Sequence, residues 1–220
     1  DTIGTNRGAA RVFVRTASTN IWTEMSTILR GSDSTNEDNF ATGVAISSDG
    51  TYAVATSMAH PSQTNVGAAY VFKRTGTSWS AHEKLQATDP ATQSYFGSSV
   101  AISGDGNYIL VGSYAQDTDG TNTGAAYVFN RTGTNSWGTG FKIKASDDDV
   151  NDRFGSDVSL SRDGTYALIG AYGDKVSTTN YYGSAYIYTR SGTNTWGTEK
   201  KILPSTYEGD EHFGMHVAMS

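Results

Sequence analysis

Cysteine is missing altogether from the 220 residues. That excludes thiolate metal centres, a cysteine nucleophile and any disulfide framework. Basic residues are also short, 16 Lys and Arg against 22 Asp and Glu, for a net charge of −6. Binding a phosphate backbone requires clustered Lys and Arg, so nucleic acid is not an expected partner. No run of 18 apolar residues occurs, so no helical membrane span is expected. No window repeats apolar residues at three- and four-residue spacing, which leaves almost no room for helix. What is present is 36% apolar residues, 25 glycines and an abundance of Thr, Ser and Asn. That balance suits short strands and tight turns, in a chain long enough for one sizeable core. The first residue is Asp1 and no signal peptide is visible, so the expectation is a processed start or an excerpt of a longer chain.

The chain repeats itself. The stretch Phe96–Trp137 returns upstream as Phe40–Trp79 and downstream as Phe154–Trp196, with partial copies at Gly8 and at Phe213–Ser220. Trp22, Trp79, Trp137 and Trp196 lie 57, 58 and 59 residues apart. A period that long, carrying four strand-like runs, signals a propeller blade more than a solenoid coil. In the central copy the first run is Ser99–Ser103, followed by a Gly104-Asp105-Gly106 hairpin turn. Asp tolerates the turn geometry and Gly the positive φ. The second run, from Tyr108 to Gly112, is apolar on both faces and so needs cover on both sides. A long polar connection from Tyr114 to Thr123 leads to the third run, Gly124–Phe129. An Arg-Thr-Gly-Thr turn at Arg131 then precedes the fourth run, which ends in Lys142-Ile143.

The fold class expected is all-β, a β-propeller or part of one, built from four-stranded antiparallel blades. Residues 1–220 form a single propeller region. Within it, 1–30 is a partial blade of the last two strands, 40–87, 96–145 and 154–203 are blades, and 213–220 is the first strand of the next. That makes 15 strands, in a segment of a longer repeat chain cut mid-blade at both ends.

Phe-Gly at Phe96, Phe154 and Phe213 opens a strand, and about sixteen residues later come the small-residue exits Gly112-Ser113-Tyr114 and Gly170-Ala171-Tyr172. This pattern resembles the FG-GAP repeat of integrin α-subunit propellers and of many extracellular proteins, over essentially the whole chain. The final Pro of the motif is absent in every copy, and Phe40-Ala41 departs from Phe-Gly. The resemblance implies a propeller that acts in adhesion or assembly, with ligands held by loops on one face. Calcium-binding members carry a DxDxDG loop between the first two strands. Here that loop is a single-carboxylate hairpin, and calcium needs six to eight oxygens.

The densest calcium candidate is therefore the acidic connection Asp147, Asp149, Asn151 and Asp152. It ranks ahead of its counterparts at Asp33–Asp38 and Asp89 and of the Asp117–Asn122 loop, which lacks a distant Glu. The plainer reading is a solvated turn between blades. Cofactors are otherwise not expected. The loop residues that vary between copies are the candidates for contact with a ligand: Tyr114, Asp117, Asp119, Asn122, Tyr172, Tyr181 and Tyr182. Exposed loop aromatics are a common form of interface anchor. Asn130 begins the one N-glycosylation sequon. No histidine recurs in its repeat column, so His60, His82, His212 and His216 read as surface variation. The recurring tryptophans read as packing residues, with a sugar-stacking platform as the rival. No GxSxG elbow, phosphate loop or recurring nucleophile–base pair appears, so no catalytic residue is assigned and the chain is read as a non-enzyme.

The function expected is an extracellular or cell-surface interaction module for adhesion or for assembly of a surface structure. Its partners would be protein or glycan, with further repeats of the same chain or a homo-oligomer covering the open blades. A lectin-like propeller is the alternative, and a propeller glycosidase a more distant one.

Overall fold

The computed structural model describes residues 6–61, 64–117, 120–175, 181–197, 199–206 and 211–220, and of His82 only the backbone. Among them there are strands, turns and bends but no helix. The chain opens with a hairpin of β1 (Ala10–Thr16) and β2 (Ile21–Leu29). Next comes a four-stranded sheet of β3 (Val44–Ile46), β4 (Tyr52–Ser57), β5 (Ala68–Thr75) and β6 (Ser78–Leu85), paired in that order. The third sheet holds β7 (Val100–Ile102), β8 (Tyr108–Ser113) and β9 (Ala125–Gly133), with β10 (Ser136–Trp137) and β11 (Phe141–Ile143) both on β9. The fourth holds β12 (Phe154–Leu160), β13 (Tyr166–Ala171) and β14 (Ser184–Gly192), with β15 (Thr195–Trp196) and β16 (Lys200–Ile202) both on β14. These are a half-blade and three blades of an unclosed propeller.

The Asp-Gly hairpins form as the sequence requires. Asp105 accepts hydrogen bonds from the Ser103 hydroxyl (2.6 Å) and the Asn107 amide (3.0 Å), while Gly106 takes φ 65°. Successive blades meet through a backbone contact. Gly67, Gly124 and Gly183, each opening a third strand, form parallel bridges to Phe96, Phe154 and Phe213 of the next repeat. A Cβ on Gly67 would stand 1.8 Å from the Phe96 carbonyl oxygen, and one on Gly124 2.1 Å from that of Phe154. Only glycine fits there.

Side chains alternate between the two neighbours, as the strand period demands. Tyr52, Val54, Ala69 and Val71 of the second blade pack towards the third, whereas Ala53, Ala55, Tyr70 and Phe72 pack towards the half-blade. All six residues of β4 are buried, which is the cover on both faces that its composition called for. The recurring Arg of the turn joins blades as well. The Arg131 guanidinium lies 4.8 Å from the Tyr52 ring of the preceding blade, and that of Arg190 4.2 Å from the Tyr108 ring. Both also donate to the phenol oxygen, at 2.9 and 3.0 Å.

Two expectations are corrected. The fourth strand is continuous in the half-blade and the second blade. In the third and fourth blades it breaks into β10/β11 and β15/β16 at Gly138 and Gly197, where the half-blade has Thr23 and the second blade Ser80; a glycine brings no side chain to pack and loosens a strand. Residues 213–220 form no named strand, though the Val217 and Met219 amides bond to Asp157 and Ser159 of β12.

Candidate functional site

The strands have two ends, and the chemistry differs between them. At one end the Asp-Gly hairpins of three blades converge on a cavity of about 770 Å³ lined by Asp49, Asp105, Arg162, Asp163 and Tyr166 among others. Main-chain bonds chain the hairpins together, Ser48 N–H to Gly104 O (2.9 Å) and Gly104 N–H to Arg162 O (2.7 Å). The three carboxylates point back into their own turns. Hydrogen bonds from Ser47 and Thr51 hold Asp49 at a pKa of about 2, and those from Ser161 and Thr165 do the same for Asp163. Groups so engaged have little capacity left for a ligand.

At the other end the connections between blades meet the long loops, over a buried polar framework. An aspartate from each connection is gripped by a tyrosine of the third strand and a lysine of the fourth. Asp33 accepts from Tyr70 and Lys84 (both 2.7 Å), Asp89 from Tyr127 (2.6 Å) and Lys142 (2.8 Å), and Asp147 from Tyr186 (3.0 Å) and Lys201 (2.7 Å). Burial alone would raise the Asp33 carboxyl, but the bonds from Lys84 and Tyr70 outweigh it and hold it at about 2. Desolvation and these carboxylates push the Tyr70 and Tyr186 phenols well above their ordinary range.

Beside each triad lies a position that differs. His60, 5% exposed, places Nδ1 2.8 Å from the buried Asp38 carboxylate. Gln116 donates to the Tyr127 phenol and the Asp89 carbonyl. Asp174 takes hydrogen bonds from Tyr186 (2.7 Å) and Lys201 (2.5 Å), next to Asp152. His60 is thus interior, not surface variation: its column is polar in every copy because each occupant bonds the same buried framework. Asp152 is 2% exposed and its Oδ1 has no hydrogen-bond partner. Burial raises its pKa to about 7, opposed by the Asp149 amide and reinforced by the charges of Asp174 and Asp149.

Above this framework runs a track of aromatic and cationic side chains. The Tyr95 and Tyr114 rings are stacked, 5.4 Å apart and 3° from parallel. The Arg153 guanidinium lies 5.0 Å from the Tyr172 ring centre and donates to the Tyr172 phenol, and the Tyr172 and His212 rings are 5.7 Å apart. Burial raises the Tyr114 phenol, and those of Tyr95 and Tyr172 add to the rise while Arg153 opposes it, which puts all four in one neighbourhood. A cavity of about 300 Å³ is lined by Asn151, Arg153, Tyr172, Gly173, Tyr181 and His212. The Lys175 ammonium sits 5.3 Å from the Tyr181 ring.

Tyr95, Arg153 and His212 occupy one repeat position, immediately before the strand-opening Phe, with Asn39 as the fourth member. All four have positive φ, between 52° and 58°. This conformation is unfavourable for Tyr, Arg and His, and it recurs where the chain over-determines it. The Tyr95 and Phe96 amides donate to Asn65 and Val66 of the preceding blade, and the Arg153 and Phe154 amides to Asn122 and Thr123. The joint between blades therefore aims these side chains onto the rim.

Of the loop candidates, the structure brings Tyr114, Tyr172 and Tyr181 to this track. Tyr182 is half-buried and its carbonyl accepts the Phe213 amide. Asp117 and Asn122 shape their own loop, Asp117 accepting the Asn122 amide and Asn122 donating to Asn151. Asp119 lies outside the described residues. The acidic connection does not act as one ligand set. Asp147 is held by Lys201, Asp149 accepts the Val150 amide, Asn151 receives Asn122 and Asp152 is buried. Among the described residues no group of three or more acidic or histidine side chains is placed to hold a metal ion. Asn130 is 8% exposed, with its amide oxygen buried and without a partner. The sequon asparagine lies within β9 and is largely buried rather than standing on the turn. Trp79 and Trp137 are 5% and 6% exposed and pack as expected, Trp137 edge-on to Tyr52 at 6.2 Å. Trp22 is 65% exposed.

The track was missed in the sequence because Tyr95, Arg153 and His212 look like part of the polar connections. The available signal was Asn39 in their column, since Asn is the residue that tolerates positive φ.

A family model described as the FG-GAP repeat matches residues 22–72, 79–129 and 137–188, more than half of the chain. No curated protein matches it. Among solved structures, it is similar to the periplasmic gluconolactonase of Pseudomonas aeruginosa, with 11% identity, 93% of this chain and 68% of that chain covered, and a TM-score of 0.49. It is also similar to the β-propeller domain of the Trilobed protease from Pyrococcus furiosus, with 12% identity, 90% and 54% coverage and a TM-score of 0.42. The tricorn protease gives 13% identity and a TM-score of 0.46, over 84% of this chain and 16% of that one.

Proposed function

Because the chain belongs to the FG-GAP repeat family, we propose that it is a non-enzymatic interaction module of the cell surface or extracellular space. It serves adhesion or the assembly of a surface structure, and it binds protein or glycan through the rim at the long-loop end of its blades. One observation carries this reading: the track is built from two repeat columns, one different in every copy (Asn39, Tyr95, Arg153, His212) and one holding Met58, Tyr114 and Tyr172, over a framework that repeats. Constant residues close the blades, and variable ones are aimed outward. Rigid aromatic side chains with a polar tip anchor interfaces at low entropic cost.

The family match and the rim geometry support a binding surface. The non-enzymatic part is supported by the engaged state of the Asp-Gly carboxylates at one end and of the lysine-held aspartates at the other, among the described residues. The test is binding to a glycan array and to purified extracellular-matrix proteins, with a Tyr114→Ala/Tyr172→Ala/Tyr181→Ala variant alongside. The triple variant should lose at least tenfold in affinity for whatever the parent binds. Equal binding by both, or turnover of a glycan or phosphoester by the parent, would overturn the reading.

A further inference from the structure

Arg153, which lines the rim cavity, and Lys175, which stands against its Tyr181 wall, are unlike four lysines near this end of the blades. Lys84, Lys142, Lys144 and Lys201 each rest on a carboxylate within 3.3 Å. Arg153 and Lys175 have none among the described residues. Arg153 lies over the Tyr172 ring, donating one N–H to its phenol, and Lys175 lies over the Tyr181 ring. In a chain of net charge −6, neighbouring acids are plentiful, yet these two positive charges are held by aromatic faces instead. A guanidinium against a ring keeps its other N–H groups directed outward, in the planar fork that matches a carboxylate.

The other groups around the cavity are the Asn151 amide, the His212 imidazole, the Gly173 backbone and two phenols. They offer hydrogen bonds to hydroxyl groups and flat faces to a ring. About 300 Å³ is at the small end of ligand cavities, room for one or two sugar rings. Gly173 lies directly on the connection, where a Cβ would stand 2.0 Å from the Asn151 carbonyl oxygen, and so brings the two walls of the cavity together.

We infer that this cavity, between the fourth blade and the connection preceding it, binds an acidic saccharide. The carboxylate of a uronic acid is received by Arg153, with Lys175 adding its charge from beside Tyr181, and the pyranose lies against the side of the Tyr181 ring away from Lys175. The inference rests on the rim being the binding surface and names the ligand class of that surface. An acidic side chain of a peptide would satisfy the cations but use neither the Tyr181 face nor the hydrogen-bonding groups of Asn151 and His212, so the saccharide is the occupant argued for.

The experiment is titration of the chain, by calorimetry and by amide NMR, with three probes: a tri-uronate, its methyl ester, and an oligoglutamate of equal charge. The expected result is that the tri-uronate binds, shifts signals of Arg153, Tyr172 and Gly173, and weakens as salt is raised. The methyl ester, which keeps the rings and loses the charge, should bind at least about tenfold more weakly. Arg153→Gln should lower uronate affinity about tenfold and Lys175→Gln about threefold, with the ester unaffected by either. Unchanged NMR dispersion verifies that both variants fold. Equal binding of ester and uronate overturns acid recognition but leaves the rim as a glycan surface. Preferential binding of oligoglutamate overturns the saccharide and leaves a protein-binding rim. No binding of any probe overturns the inference, while the array test of the triple tyrosine variant still decides whether the rim binds at all.

Discussion

The junction preceding the second blade and the one preceding the fourth are built on one plan and balanced differently. Both grip a connection aspartate between a tyrosine and a lysine, Asp33 with Tyr70 and Lys84, Asp147 with Tyr186 and Lys201. Beside that triad the second blade sets His60 on Asp38, whereas the fourth sets Asp174 near Asp152. The third blade has the neutral pair Ser94 and Gln116 in those columns, both fully buried. A buried site can exchange an imidazole–carboxylate contact for two carboxylates only if a cation or a proton neutralises the second charge. At the fourth blade Lys201 serves both Asp147 and Asp174, and burial lifts Asp152 towards neutrality. The repeat thus fixes the grip and leaves the neighbouring charge free to vary.

The part of the junction that all blades share should be the least tolerant. Gly67→Val and Gly124→Val drive a side chain into the carbonyl of Phe96 or Phe154. Each should cost more than about 4 kcal/mol and prevent folding, which circular dichroism of the purified variants checks. Equal, mild effects would mean that the backbone contact does not join the blades.

Next in size is the lysine. Lys201→Met leaves Asp147 and Asp174 without their cation and should cost about 3 kcal/mol, whereas Lys142→Met takes the cation from Asp89 and should cost about half of that. Urea unfolding of the two variants measures the difference, and the reverse order would break the comparison. Trp79→Ala and Trp22→Ala offer a related contrast. The buried ring should cost about 3 kcal/mol, the exposed one less than about 0.5 kcal/mol.

The smallest effect depends on pH. Asp152 has its pKa raised in the folded chain, to about 7. Its protonated form is therefore favoured by folding, a contribution complete below the unfolded value and lost as pH rises through 7. Asp152→Asn should gain on the parent by about 1 kcal/mol between pH 5 and pH 8, allowing for solvent screening. The carboxylates held low, Asp33 at about 2 and Asp147 below its ordinary value, lose their stabilisation only at pH values well below 5 and affect parent and variant alike. Melting curves at the two pH values decide it. A parent as stable at pH 8 as at pH 5, relative to the variant, would show that Asp152 is charged throughout.

The framework was legible to the extent that a residue type implies a backbone shape. Asp105-Gly106 gives a hairpin, Gly124 a close approach, and Tyr108–Gly112 a strand covered on both sides. Tyr114 and Tyr172 were visible as loop aromatics. Tyr95 and Arg153 were not, because neither residue type announces a positive φ. His60 was misread because non-recurrence was taken to mean exposure, whereas a buried column needs only a polar group that can bond its neighbours. Asn130 reads as a sequon on a turn, and the structure places it within β9, largely buried.

By itself the sequence determined the repeat, its four-stranded blades and the glycine joints. These follow from period-two alternation and from turn chemistry within a few residues of each other. Tertiary structure alone decided which charges meet. Asp33 and Lys84 are gripped together across 51 residues, and Arg153 reaches Tyr172 only because a connection held at positive φ aims it there. Local pattern fixes a strand's faces, but the pairing of long polar side chains depends on how successive blades are rotated against one another, and no short window contains that rotation.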